Sequence, residues 1–146
     1  MKRLCNQRIV WCVLCGMLLS SGCGGEDSNL PKTAPVKGTV SYQGEPVTLG
    51  QILFIPENGE RSGIGRVQED GTFTVTTYSD GDGAVVGKNK VTISAYDNNL
   101  VNQVPGWYEN ANTTPLTLEV QPETDNEFEI VLEGEASSQP ALPTGQ

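Results

Sequence analysis

Histidine is absent from all 146 residues of the chain. Its absence removes the commonest general base, the Ser-His-Asp and Cys-His nucleophile systems, and histidine-ligated zinc or iron. Cysteine occurs only at positions 5, 12, 15 and 23, so no disulfide can staple anything that follows Cys23. No apolar run approaches the roughly 20 residues that a membrane-spanning helix needs; the longest covers only residues 9–19. Basic residues are scarce, nine against 18 acidic. The 3.6-residue apolar period of an amphipathic helix appears nowhere along the chain.

What is present begins with that short apolar run. Lys2, Arg3 and Arg8 precede it, and the small residues Ser20, Ser21 and Gly22 separate it from Cys23. This order is that of a secretory signal peptide over residues 1–22, which directs export rather than spanning the bilayer. The segment resembles a bacterial lipobox, in which a small residue precedes a cysteine that is diacylated and becomes the first residue of the mature chain. The resemblance makes Cys23 the lipidation site. The third position before the cysteine departs from the usual leucine, with Ser20 there and Leu19 one place further back. Ser20 and Gly22 also suit an ordinary signal peptidase, which would leave a soluble protein with a free thiol. Either way the protein is exported. The lipobox reading makes it a membrane-anchored lipoprotein of the cell envelope, facing the periplasm or the exterior.

Removing residues 1–22 leaves 124 residues, enough for one domain with a modest core. Six basic residues then face 18 acidic ones, a formal charge of −12. That balance argues against nucleic acid and against adhesion to anionic headgroups. Residues 23–35 are polar and proline-bearing, the composition of an exposed tether between anchor and domain.

From Val36 the pattern acquires the two-residue period of strands. Val36, Gly38, Val40 and Tyr42 alternate with polar residues, and Gln43-Gly44-Glu45-Pro46 makes a turn. The contiguous Ile52, Leu53, Phe54 and Ile55 suggest a strand covered on both faces, ended by Pro56. A weaker strand covers residues 63–68, and Asp70-Gly71 turns the chain. Phe73 and Val75 then alternate with threonines, and Val91, Ile93 and Ala95 mark a strand over residues 88–96. Leu116, Leu118 and Val120 form another, and Phe128, Ile130 and Leu132 a last one. These are about seven short strands without a helix, which predicts an all-β fold, an antiparallel β-sandwich over residues 36–133. Phe54, Phe73, Val91, Ile93 and Phe128 should form its core. Residues 134–146 are a low-complexity tail expected to be disordered.

The succession VKGTVSYQGEPV, ILFIP, EDGTFTV, DGAVVGKNKVTI and VPGWYENANTTPLTLEV resembles a carboxypeptidase-regulatory-like domain, a transthyretin-like (prealbumin-like) sandwich carried by small lipoproteins of the planctomycete type. The resemblance covers roughly residues 35–133. It implies a fold and a location, and no catalytic residue comes with it. Asn89 departs from the pattern, standing where the family usually has an aromatic residue. Two enzyme classes on related sandwiches, the hydroxyisourate hydrolases and the intradiol dioxygenases, depend on histidines that this chain lacks.

The remaining chemistry is sparse, and the chain reads as no enzyme, with no cofactor. Two-carboxylate glycoside hydrolysis needs only Asp and Glu, so a hydrolase stays as a remote alternative, but short loops leave little room for its cleft. Asp80 and Asp82 are weak candidates for metal ligands. The closing glutamate of a calcium loop would fall on Val91, a core position, so a glycine-rich turn accounts for them better. Asp125, Glu127 and Glu129 share one strand face, which Glu119 joins if its strand forms a hairpin with the last. A solvated face that discourages edge pairing explains them. The long loop over residues 97–115 is the only stretch long enough to shape a site. Its adjacent Trp107 and Tyr108 are the candidate ligand contacts, Tyr108 as the anchor and Trp107 either exposed or folded over the end of the domain. The sequence thus predicts a non-catalytic, lipid-anchored module of the cell envelope with a structural or interaction role. The alternative is a carbohydrate- or peptide-binding domain using that loop, with an envelope protein or polysaccharide as partner.

Overall fold

A computed structural model describes residues 29–96 and 103–135. The chain divides into two units, Met1–Leu30 and Pro31–Gln146, and all that follows concerns the second. The signal peptide, Cys23, most of the tether, the first part of the 97–115 loop and nearly all of the tail lie outside the described residues.

The second unit is all-β. Its ten strands among the described residues are β1 (Thr33–Ala34), β2 (Val36–Tyr42), β3 (Glu45–Pro46), β4 (Gly50–Pro56), β5 (Gly63–Arg66), β6 (Thr72–Thr76), β7 (Ala84–Val85), β8 (Gly87–Ala95), β9 (Thr117–Val120) and β10 (Asn126–Leu132). The seven longer ones are those the alternation predicts; β1, β3 and β7 are two-residue ladders with too few positions to show a period. A 3-10 turn, Gly106–Glu109, interrupts the long loop.

Strands β1 and β7 pair by themselves, and the others form one continuous sheet in the order β10-β2-β6-β5-β4-β8-β9, with β3 alongside β2. Among these strands every pairing is antiparallel except β10 with β2, which run parallel. The sheet curls. Phe54 on β4 and Phe128 on β10 have ring centroids 6.1 Å apart, although their strands are four places apart in the sheet, about 19 Å in a flat one. Strand β6 sits at the fold-over, pairing with β2 through Thr72–Thr74 and with β5 through Val75 and Thr76.

The core lies inside the curl. Phe54, Phe73, Val91 and Ile93 are buried as the alternation requires. Phe128 is only half-buried, since β10 is an edge strand and little covers its outer side. Leu53 and Ile55 are also half-buried. The expectation that β4 is covered on both faces is therefore corrected: the sheet has one apolar inner face and one outer face open to solvent.

The predicted departure at Asn89 has a local cause. Its side chain is fully buried and its amide donates to the carbonyls of Val85 and Gly87, both at 2.9 Å. It ties down the bend where β7 turns into β8. Its Oδ1 has no partner among the described residues.

Strand directions define two poles. At the N-terminal pole, Thr33 pairs with Val85 and Val36 with Asn126. Gly83 packs against the Ala34 backbone there with φ +85°, where a side chain would meet that backbone. At the other pole, Leu132 pairs with Tyr42 and the chain leaves through Gly134, whose carbonyl accepts a hydrogen bond from the Tyr42 hydroxyl at 2.9 Å.

Candidate functional site

The two loop aromatics do not splay apart as they would in an extended segment. The 3-10 turn places them on one helical arc, with ring centroids 5.9 Å apart. Tyr108 is buried, and its hydroxyl accepts from the Glu133 amide at 3.1 Å and donates to the Glu133 carbonyl at 3.4 Å. It anchors the loop to the end of β10. Trp107 is half-buried against the core, and its ring closes over Gly134, where φ is +94° and a side chain would run into the indole. Of the two arrangements open to Trp107, the structure has the cap. Both rings hold the C-terminal exit of the chain.

The Asp80–Gly83 turn is likewise occupied with its own backbone. The Asp82 carboxylate accepts from the amides of Thr77 at 2.7 Å, Tyr78 at 2.9 Å and Ser79 at 3.1 Å. Asp80 is exposed. No group of three or more acidic or cysteine side chains able to hold a metal occurs among the described residues.

The acidic face is split by the topology. Strands β9 and β10 form no hairpin but lie at opposite edges of the sheet. Glu119 therefore stands opposite Lys88 on β8 and does not join Asp125, Glu127 and Glu129. The parallel register instead sets Glu127 beside Lys37, with their charged groups 3.7 Å apart. Both ends of that pair are exposed, which leaves it worth little.

A site-like feature among the described residues lies elsewhere, on the outer face of the sheet. An open groove of about 1000 Å³ crosses β6, β5, β4 and β8 toward the C-terminal pole, and a smaller hollow of about 610 Å³ continues it over β5 and β6. Gln51, Arg66, Thr72 and Ser94 lie along the larger one. Leu49 and Tyr96 lie at its strand ends, 58% and 42% exposed, and Ile64 at 46% stands between the two hollows. Leu49 adopts φ +54°, a left-handed conformation costly for a branched residue. The Tyr96 hydroxyl donates to both carboxylate oxygens of Glu109 at 2.8 Å, which fixes the ring and links the groove to the 3-10 turn.

Two groove groups are electrostatically set. The Thr72 hydroxyl, at 2.6 Å, and the Thr72 amide, at 3.0 Å, both donate to Asp70 and hold its carboxyl below the usual range. The hydrogen bond to Glu109 and partial desolvation hold the Tyr96 phenol above its ordinary value. At neutral pH the first is therefore firmly charged and the second firmly neutral.

No single segment carries the groove, so the linear pattern does not announce it. Its residues come from the polar phase of four strands, which along the chain reads as an ordinary solvated face. Two residues do signal it: Leu49 and Tyr96, large apolar side chains flanking strands on their polar phase. No family model, curated protein or solved structure matches the chain.

Proposed function

We propose that this chain is a non-catalytic, lipid-anchored recognition module of the cell envelope, built on a transthyretin-like sandwich of the carboxypeptidase-regulatory-like kind. One observation carries the non-catalytic part. Among the described residues every buried polar side chain is a neutral Thr or Asn, and the buried Tyr108 hydroxyl is spent on the Glu133 backbone. General acid–base catalysis needs a group whose pKa lies near the working pH. The groove moves Asp70 and Tyr96 the other way, down and up respectively.

The recognition part rests on where the groove opens. The chain comes in at the N-terminal pole, where Thr33 and Ala34 are clamped against Val85 and Ala84. The groove lies toward the opposite pole, about 20 Å away along a seven-residue strand. A domain held by the segment that enters at Thr33 carries this face away from its point of attachment. The carbohydrate- or peptide-binding reading moves with it, from the 97–115 loop to the sheet face, because Trp107 and Tyr108 are taken up in holding the C-terminal exit.

Anchorage is tested by phase partitioning in the producing cell. Wild type should enter the detergent phase and carry a metabolically incorporated fatty acid, because two or more acyl chains give stable anchoring. Cys23→Ser should move the protein to the aqueous phase with its thermal midpoint unchanged. Aqueous partitioning of both forms would refute the lipid anchor and leave the soluble, free-thiol protein.

A further inference from the structure

The four strands under the groove are all interior to the sheet, each paired on both sides. Over β4 and β5 no backbone edge is open among the described residues, so a peptide cannot add itself as a strand there, and whatever binds is read by side chains. The polar ones include the amides and hydroxyls of Gln51, Gln68, Thr72 and Ser94, one aromatic ring and one guanidinium, with two carboxylates and the apolar Leu49 and Ile64 beside them.

The guanidinium, that of Arg66, is the one cation in the groove's lining. Lys37 is paired with Glu127, Arg61 lies over the Tyr78 ring at 5.9 Å, and Lys90 donates to the Thr114 carbonyl at 3.5 Å. Arg66 is exposed on β5, borders both hollows, and its guanidinium has no ion pair, ring contact or hydrogen bond among the described residues. Lys32 and Lys88 also have no side-chain partner among the described residues, but they lie outside the groove. An unpaired arginine at the centre of the groove, in a domain this acidic, is a place for an anionic group. The planar fork suits a carboxylate, which it binds through two parallel hydrogen bonds. Glu69 and Asp70 lie at the groove end beyond Arg66, and Asp70 is already engaged by Thr72. Their charge is screened in open solvent, as is that of Arg66, so the directed two-bond fork of the guanidinium rather than net charge is what selects a carboxylate. Tyr96 has its hydroxyl held by Glu109 and its ring part-exposed, a pre-oriented flat surface of the sort on which a sugar face stacks.

We propose that the groove binds a carboxylate-bearing polysaccharide, with Arg66 taking the sugar carboxylate, Tyr96 stacking on a ring, and Gln51, Gln68 and Ser94 hydrogen-bonding to hydroxyls. This rests on the non-catalytic recognition reading and names its ligand class.

The test is calorimetric titration of the full chain in detergent micelles with trigalacturonate, its trimethyl ester, and hexaglutamate. Wild type should bind the acid at least about tenfold more tightly than the ester, the scale of one charge-assisted bidentate contact. Arg66→Gln should lose that tenfold, Arg66→Lys should recover part of it, and Arg61→Gln should change nothing. Tyr96→Ala should weaken acid and ester alike. Circular dichroism of each variant checks that the fold is intact. Absence of binding by wild type, equal binding of acid and ester, or an equal loss in Arg61→Gln would overturn the proposal. Tighter binding of hexaglutamate would overturn it in favour of a peptide ligand. Release of new reducing ends from trigalacturonate would sink the non-catalytic reading while leaving the binding site in place, so the two failures are distinguishable.

Discussion

Tyr96 and Asn89 show how much one side chain can settle in this domain. The phenol of Tyr96 is held above its ordinary value of 10.0 chiefly by the hydrogen bond to Glu109. A group whose folded pKa is raised contributes stability that is complete below its unfolded pKa and lost as pH rises through the folded one. The Tyr96–Glu109 link should therefore persist through neutral pH and fail only in alkali, above about pH 10. Absorbance titration of the phenolate should show a step above the ordinary tyrosine value that Tyr96→Phe removes and Glu109→Gln brings earlier. Asn89 matters through its donor half, which satisfies two carbonyls. Asn89→Ala should cost about 1–3 kcal/mol for each carbonyl left without a donor, measured by urea unfolding. Asn89→Asp should cost more than Asn89→Ala, because it places a second set of acceptors against the same carbonyls. If Asn89→Asp proves the milder change, the amide is not what holds that bend.

Among the elements, β6 and the turn after it carry the curl. Phe73 on β6 is 2% exposed, with its ring centroid 6.3 Å from that of Phe54. Phe73→Ala should cost about 3–5 kcal/mol, the range for a fully buried phenylalanine. Phe128 on the edge strand β10 also lies against the Phe54 ring, at 6.1 Å, but is half-buried, so Phe128→Ala should cost clearly less. Equal costs would mean that the edge of the sheet is as tightly covered as its middle. After β6, Asp82 gathers three amides, acting as a cap acts at a helix end. Asp82→Ala should lower stability by about 1–2 kcal/mol. Millimolar calcium should leave the thermal midpoint where it is, because the carboxylate is already engaged; a rise would show a metal site at Asp80 and Asp82 after all.

At the scale of the whole molecule, charge and polarity act together. A chain with a formal charge of −9 repels itself, and salt screens that repulsion. Its thermal midpoint should rise between low and moderate sodium chloride; a fall would mean that pairs such as Lys37–Glu127 outweigh the net charge. Within the second unit the β1–β7 clamp lies at one pole, and the groove and the aromatic hold on Glu133 and Gly134 lie toward the other.

What the sequence determined by itself follows from local rules. The seven longer strands, their inward residues and the all-β class come from a period of two that each strand carries within itself. The absence of histidine limits the chemistry whatever the fold. The tertiary structure decided what depends on residues far apart. It paired β10 with β2 rather than with its neighbour β9, which separated Glu119 from the other acidic residues. It drew Trp107 and Tyr108 onto one turn over Gly134. It left the outer face of four strands bare and gathered Leu49, Arg66 and Tyr96 there. The physical reason is that alternation states which way a side chain points relative to its own strand. Which strand lies beside it, and so which side chains share a face, is set by how the sheet curls to close its core.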